Sequence, residues 1–205
     1  MKTAIFTDKD IKKVIEIIRN EGIVAFPTDT VYGLGIRYDS IAAITKLKEA
    51  KRRPESKPFP MMVSSLAQIE EVAILNPRDY ILIKKWMPGP ITLVFKKKAS
   101  VPDEVTNGFE TIAIRMPDDK LVLEIISGVK VPLLVPSANI SNQSPALNYE
   151  EVLAQLEGAI DGVMIGSCKN GISSTIVNTI GDELKIMREG PISLGQILAS
   201  LKEKS

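Results

Sequence analysis

Ile23-Val24-Ala25-Phe26 is the stretch that most limits what this chain can fold into. It is a continuous apolar run without polar alternation, the pattern of a strand covered on both faces. Pro27 ends it, and Thr28-Asp29-Thr30 follow with short side chains that can bond backbone and ligand alike. A second such run, Pro132 to Val135, stops at Pro136 and opens onto Ser137-Ala138-Asn139. Strands buried on both sides need helices above and below them, which points to an α/β architecture.

The rest of the chain supplies those helices. Thr7 and Asp10 make a capping box for a helix whose Ile11, Val14, Ile15 and Ile18 share one face until Gly22. Ser40, Ser65, Asn76-Pro77, Asp118, Asn148 and Ser193 start further helices, and Pro88-Gly89-Pro90 stops the one that ends at Trp86. Strands are expected at Pro60–Val63, Ile91–Phe95, Thr111–Met116, Val163–Ile165, Thr175–Asn178 and Leu184–Arg188. Gly33 and Gly35 read as a tight turn, because the third glycine of a dinucleotide fingerprint is missing and Tyr38 stands there. Lys96-Lys97-Lys98 reads as an edge-strand guard or solvated tail. Strands and helices interleave without repeat or linker, so residues 1–205 are expected to form a single domain around a mixed sheet.

Composition narrows the chemistry more than the fold. The chain of 205 residues has no histidine, which rules out Ser-His-Asp and Cys-His mechanisms and imidazole ligands to zinc. Cys168 is the single cysteine, so no internal disulfide forms; with no local basic partner it reads as inert. The start lacks the apolar core of a signal peptide and no run approaches membrane-spanning length, so a cytoplasmic protein without a membrane partner is expected. A net charge of +1 means that any basic surface is local.

Local cations are present. Lys51, Arg53 and Lys57 read equally as a solvated helix end or as ligands to an anion; Pro54 and Pro58 restrict the backbone that carries them and favour a site. Arg115 lies within the apolar run Ile112–Met116, where a lone charge is costly, so it needs a structural carboxylate or an anionic ligand. Arg188 poses the same question. Ser137 and Asn139, two apart on an extended segment, can face the same way; their plainer reading is a capped turn. Ser173-Ser174-Thr175 reads as a turn. Hydroxyls at strand ends beside fixed cations suit a polyanion such as a nucleotide.

FPTDTVYGLG, EAKRRPESKP, MPGPITLVF, IAIRMP, LLVPSANIS, SSTIVN and IMREG occur together and in this order. In this the chain, from about Gly22 to Gly190, resembles the YrdC/TsaC family of threonylcarbamoyl-AMP synthases. The resemblance implies a twisted open mixed sheet flanked by helices, with a large concave basic cavity, in a single-domain form without the second domain of longer relatives. It implies ATP, L-threonine and bicarbonate as substrates, magnesium, and formation of L-threonylcarbamoyladenylate and pyrophosphate. A tRNA-modifying threonylcarbamoyl transferase complex would then receive the adenylate.

Carried over onto this chain, the family's Lys-x-Arg falls on Lys51 and Arg53 and its Ser-x-Asn on Ser137 and Asn139, the catalytic set. Nucleotide contacts fall on Arg53, Lys57, Arg115, Asn139 and Arg188, with a backbone contact near Leu147. Threonine contacts fall on Thr30, Ser137 and Ser174, and by position on Met62 and Asp119. Asp119 stands where many relatives have histidine, and Asn178 where aspartate is usual. A non-catalytic module for double-stranded RNA or tRNA is the alternative; near-neutral charge and the lack of an aromatic platform count against it. Carbamoyl transfer, as in hydrogenase maturation proteins, is a third reading, which lacks here the necessary cysteines and length.

Overall fold

A computed structural model describes residues 2–53, 58–168 and 171–202. Along the chain come β1 (Ala4–Phe6), α1 (Ile11–Arg19), β2 (Val24–Phe26), β3 (Gly33–Arg37), α2 (Ile41–Lys51) and β4 (Met61–Met62). Next are α3 (Leu66–Val72), β5 (Ala73–Ile74), α4 (Pro77–Trp86), β6 (Ile91–Lys97), α5 (Asp103–Thr106) and β7 (Thr111–Arg115). Then follow α6 (Lys120–Val129), β8 (Leu133–Leu134), α7 (Tyr149–Leu156), β9 (Gly162–Met164), β10 (Thr175–Asn178), β11 (Lys185–Arg188) and α8 (Leu194–Lys202).

The strands join in the order β1-β9-β2-β3-β8-β4-β7-β6-β10-β11, with β5 added beside β6. Parallel pairs (β1 with β9, β9 with β2, β4 with β7, β6 with β10) occur together with antiparallel ones, so the sheet is mixed and open, as the resemblance implies. Ser65, Asn76 and Asn148 cap helices as expected, each accepting a backbone N–H of the first helical turn, whereas α6 is capped by Asp119 rather than Asp118. Among the described residues no helix is long and apolar enough to cross a membrane.

Three expectations change. Gly33 and Gly35 are not a turn but lie within β3, paired to Phe26 and Val24. A Cβ on Gly35 would lie 2.8 Å from Phe26 Cζ, and one on Gly33 would fall against Val135 Cγ1, so close packing rather than bending requires glycine there. Lys97 is no guard: β6 lies inside the sheet, and Lys97 is buried, donating to Val101 O at 3.0 Å and to Asp103 Oδ1 at 2.5 Å. Ala4–Phe6 forms β1, a strand the sequence alone did not announce, because its partner Gly162–Met164 lies at the other end of the chain.

Strand alternation divides the sheet's two faces. Leu93, Ile114, Val177 and Met61 point into one core with α2, α3, α4, α7 and α8 residues. On the opposite face α1 and α6 pack Val14, Ile18, Ile125 and Ile126 onto Val24, Phe26, Leu133 and Met62. Each such buried aliphatic side chain stabilises the fold by ~1.5–3 kcal/mol relative to exposure. That second core stops at Met62 and Val135. Beyond it the same face runs on across β7, β6 and β10 as the floor of a cavity.

Candidate active site

The cavity follows from period-two alternation. Thr111, Ala113 and Arg115 of β7, Thr92 and Val94 of β6, and Ser174 and Ile176 at β10 all line it, and their strand partners set them side by side. Thr28, Thr30, Pro136 and Ser137 close one side, and Arg53, Pro58 and Phe59 another. Arg188 and Met187 of β11 form a third. The volume is about 310 Å³, at the small end of ligand pockets and below the large cavity implied by resemblance. Arg53, Arg115 and Arg188 lie folded against its walls, where they take up part of the space. No Asp or Glu is among its described lining residues.

Arg115 is 4% exposed, and each of its three guanidinium nitrogens lies against a partner. Its Nη2 lies 2.5 Å from Asp29 Oδ1, Nη1 donates to Thr30 Oγ1 at 2.7 Å, and Nε donates to Gly89 O at 3.1 Å. The anionic partner that the apolar run requires is therefore a carboxylate of the Thr28–Thr30 turn. Burial lowers the guanidinium's pKa, and Asp29 opposes that effect. Thr30 Oγ1 also lies 3.1 Å from Thr28 Oγ1, so the turn is held by its own hydroxyls.

Arg188 bonds Ser174 twice through the carbonyl, at 3.0 and 2.9 Å, and once through Oγ at 3.1 Å. Ser174 Oγ in turn lies 2.7 Å from Thr92 Oγ1. Burial, then the neighbouring Arg115, lowers the pKa of Arg188. The guanidinium of Arg53 stacks 4.9 Å above the Phe59 ring and donates to Pro58 O at 2.9 Å. Arg52 makes this possible: at φ 49° it ends α2 in the left-handed region and turns the chain so that Arg53 faces the cavity.

Of the residues expected from sequence, Thr30, Arg53, Met62, Arg115, Ser137, Ser174 and Arg188 line this one cavity. Lys51 and Asn139 adjoin it without lining it. Lys51, 1% exposed, donates to Ser137 O at 2.5 Å and Asn139 O at 2.7 Å. Asn139 Nδ2 donates to Ile140 O and Gln143 O, while its Oδ1 accepts from Ser137 Oγ at 2.5 Å. Leu147 has its N–H on Glu151 and its carbonyl accepting from Cys168 N, and Asp119 caps α6 by accepting from Val122 N. Lys57 lies outside the described residues. Asn178 accepts from Ile180 N, closing the turn after β10. Burial raises the Cys168 thiol, in keeping with an inert cysteine.

Sequence reading missed Thr92, Asp29 as the partner of Arg115, and the Gly89 carbonyl. Strand parity with Val94 was the available signal for Thr92. Among the described residues no three His, Cys, Asp or Glu side chains gather as a metal site, and Asp29 is occupied by Arg115.

A mixed open sheet bearing an arginine- and hydroxyl-lined trough beside a Lys-x-Arg and a Ser-x-Asn segment defines a class. The profile of the Sua5/YciO/YrdC family, described as "Telomere recombination", matches residues 16–190, and the chain belongs to this family. A threonylcarbamoyl-AMP synthase of Bacillus subtilis is 35% identical over 195 residues, covering 94% of this chain and 56% of the relative. One from Pyrococcus abyssi is 36% identical over 185 residues, covering 88% of this chain and 54% of the relative. The solved structure of P. abyssi Sua5 complexed with L-threonine superposes with a TM-score of 0.93 at 32% identity, covering 98% of this chain and 62% of that one. The chain thus spans little more than half the length of these relatives.

Proposed function

We propose that this chain is an L-threonylcarbamoyladenylate synthase, joining L-threonine, bicarbonate and ATP with release of pyrophosphate. The observation that carries this reading is the convergence of Arg53, Arg115 and Arg188 with the hydroxyls of Thr30, Ser137 and Ser174 on one trough. The names of the relatives and the threonine complex of Sua5 support it. We further read residues 1–205 as one domain, since β1 and β9 share a sheet and Trp86 of α4 donates to Ser200 of α8.

The threonine amine, as the free base, attacks bicarbonate carbon and expels water, leaving an N-carboxylate. An oxygen of that carboxylate then attacks the α-phosphorus of ATP, and pyrophosphate departs in line. Charge neutralisation and positioning carry such a displacement, and neither calls for histidine. Arg53, Arg115 and Arg188 would hold phosphate oxygens, a role the family resemblance also gives to Lys57, with the Asn139 and Leu147 segments toward the nucleoside. Thr30, Ser137 and Ser174 would bond threonine, with Met62 against its methyl group and Asp119 nearby. The amine's proton passes to bicarbonate or solvent. The described side chains do not fit a protein-built magnesium cage, so magnesium would enter on the phosphates, and none of these steps runs through it.

The adenylate would pass to a tRNA-modifying threonylcarbamoyl transferase complex in the cytoplasm. The test is mass-spectrometric detection of threonylcarbamoyl-AMP from purified protein given ATP, threonine and bicarbonate, each omitted in turn. Product that survives omission of threonine, or salt-sensitive RNA binding with no turnover, would overturn the reading. Arg53→Ala should lower pyrophosphate release roughly a hundredfold.

A further inference from the structure

Lys51 is a buried cation without a carboxylate partner among the described residues, and its ammonium and its carbonyl are both spent on one segment. Its ammonium reaches the carbonyls of Ser137 and Asn139, and its own carbonyl accepts from Ser141 N at 2.8 Å. The end of α2 therefore grips the 137–141 segment at three successive odd positions. From the other side Tyr32 and β3 hold the start of this segment: Ala138 N donates to Tyr32 O at 2.7 Å, and Leu34 N donates to O of the preceding Pro136 at 2.9 Å. Of residues 137–141 only Ser137 lines the trough, and Asn139 Oδ1 fixes its hydroxyl.

We infer that Lys51 is a positioning residue, which acts on substrate only through the Ser137–Asn139 turn and does not itself hold phosphate. This rests on the proposed synthase activity and alters the part that Lys51 would take in it. Two carbonyl oxygens face its Nζ, and two N–H donors remain even on the neutral amine, so the grip persists on either side of its pKa, which burial and then Arg53 lower to about 7. A charge placed for phosphate would point at the trough, whereas this one lies behind its wall.

A double-mutant cycle separates the two roles. Lys51→Met and Ser137→Ala should each lower kcat/KM for threonine by about tenfold or more, and the double variant should stand within about threefold of the worse single one. Effects that multiply would mean that Lys51 contacts substrate independently and would overturn the inference. Lys51→Arg keeps the charge but cannot place both donors, and should be impaired nearly as much; full activity in it would also overturn the inference, and it replaces the methionine variant if that fails to fold. Hydrogen exchange needs no substrate: either variant should exchange faster at residues 137–143 with the rest of the sheet unchanged. Unaltered exchange there refutes the grip even if the wild type proves to make no threonylcarbamoyl-AMP.

Discussion

Arg115 and Asp29 form an ion pair, Nη2 to Oδ1 at 2.5 Å, with both side chains largely withdrawn from water. Asp29→Asn leaves the guanidinium buried without its anion. Removing one partner of such a pair costs about 3 kcal/mol or more. The loss should appear as a lower urea midpoint with unchanged slope, and Thr30, which shares Arg115, should lose its place in the trough.

Lys51 makes stability depend on pH with a definite sign. Its folded pKa, near 7, lies below the unfolded value near 10.5, so between those limits the unfolded chain binds more protons. Stability contributed at this position therefore rises with pH from about 7, with a slope of at most ~1.4 kcal/mol per pH unit, and is lost as pH falls through 7. Comparing unfolding free energies of wild type and Lys51→Met from pH 7 to about 9 should show the rise only in the wild type.

Gly190 packs against backbone that cannot yield. A Cβ there would lie 2.6 Å from Ser173 O and 2.7 Å from the Ser174 carbonyl carbon. Gly190→Ala should cost about 1–3 kcal/mol through overpacking. It should also displace Ser174 relative to Arg188, so that thermal stability and threonine KM worsen together.

Ser174 Oγ bridges Thr92 and Arg188. Ser174→Ala removes that bridge while the two bonds from Arg188 to the Ser174 carbonyl remain. A stability loss of about 1 kcal/mol is expected, with threonine KM rising more than ATP KM. Equal rises in both would place Ser174 with the nucleotide.

Much of this was legible in sequence because it is local. Ser65, Asn76 and Asn148 announce their helices by side-chain chemistry within one turn, and Ile23–Phe26 announces its burial by lacking alternation. What escaped depends on partners distant in the chain. Gly33 and Gly35 read as a bend because the Phe26 ring and Val135 that forbid side chains there are brought by β2 and β8 pairing. Lys97 read as solvated because nothing nearby reveals that β5, β7 and β10 enclose β6. The apolar context of Arg115 announced its need of an anionic partner, which Asp29 supplies, but the inward turn of Lys51 toward the Ser137 and Asn139 carbonyls is a tertiary fact.

Ala113 and Ile114 are neighbours in sequence yet belong to opposite sides of β7, one in the trough and one in the core. Ligand preference and structural integrity are therefore encoded by interleaved letters of the same strand. Evolution can retune such a site by exchanging every second residue, whereas one inserted residue would drive Arg115 into the oil and bring Ile114 to the ligand. Drift in this lineage should accordingly favour substitutions over length changes within β7.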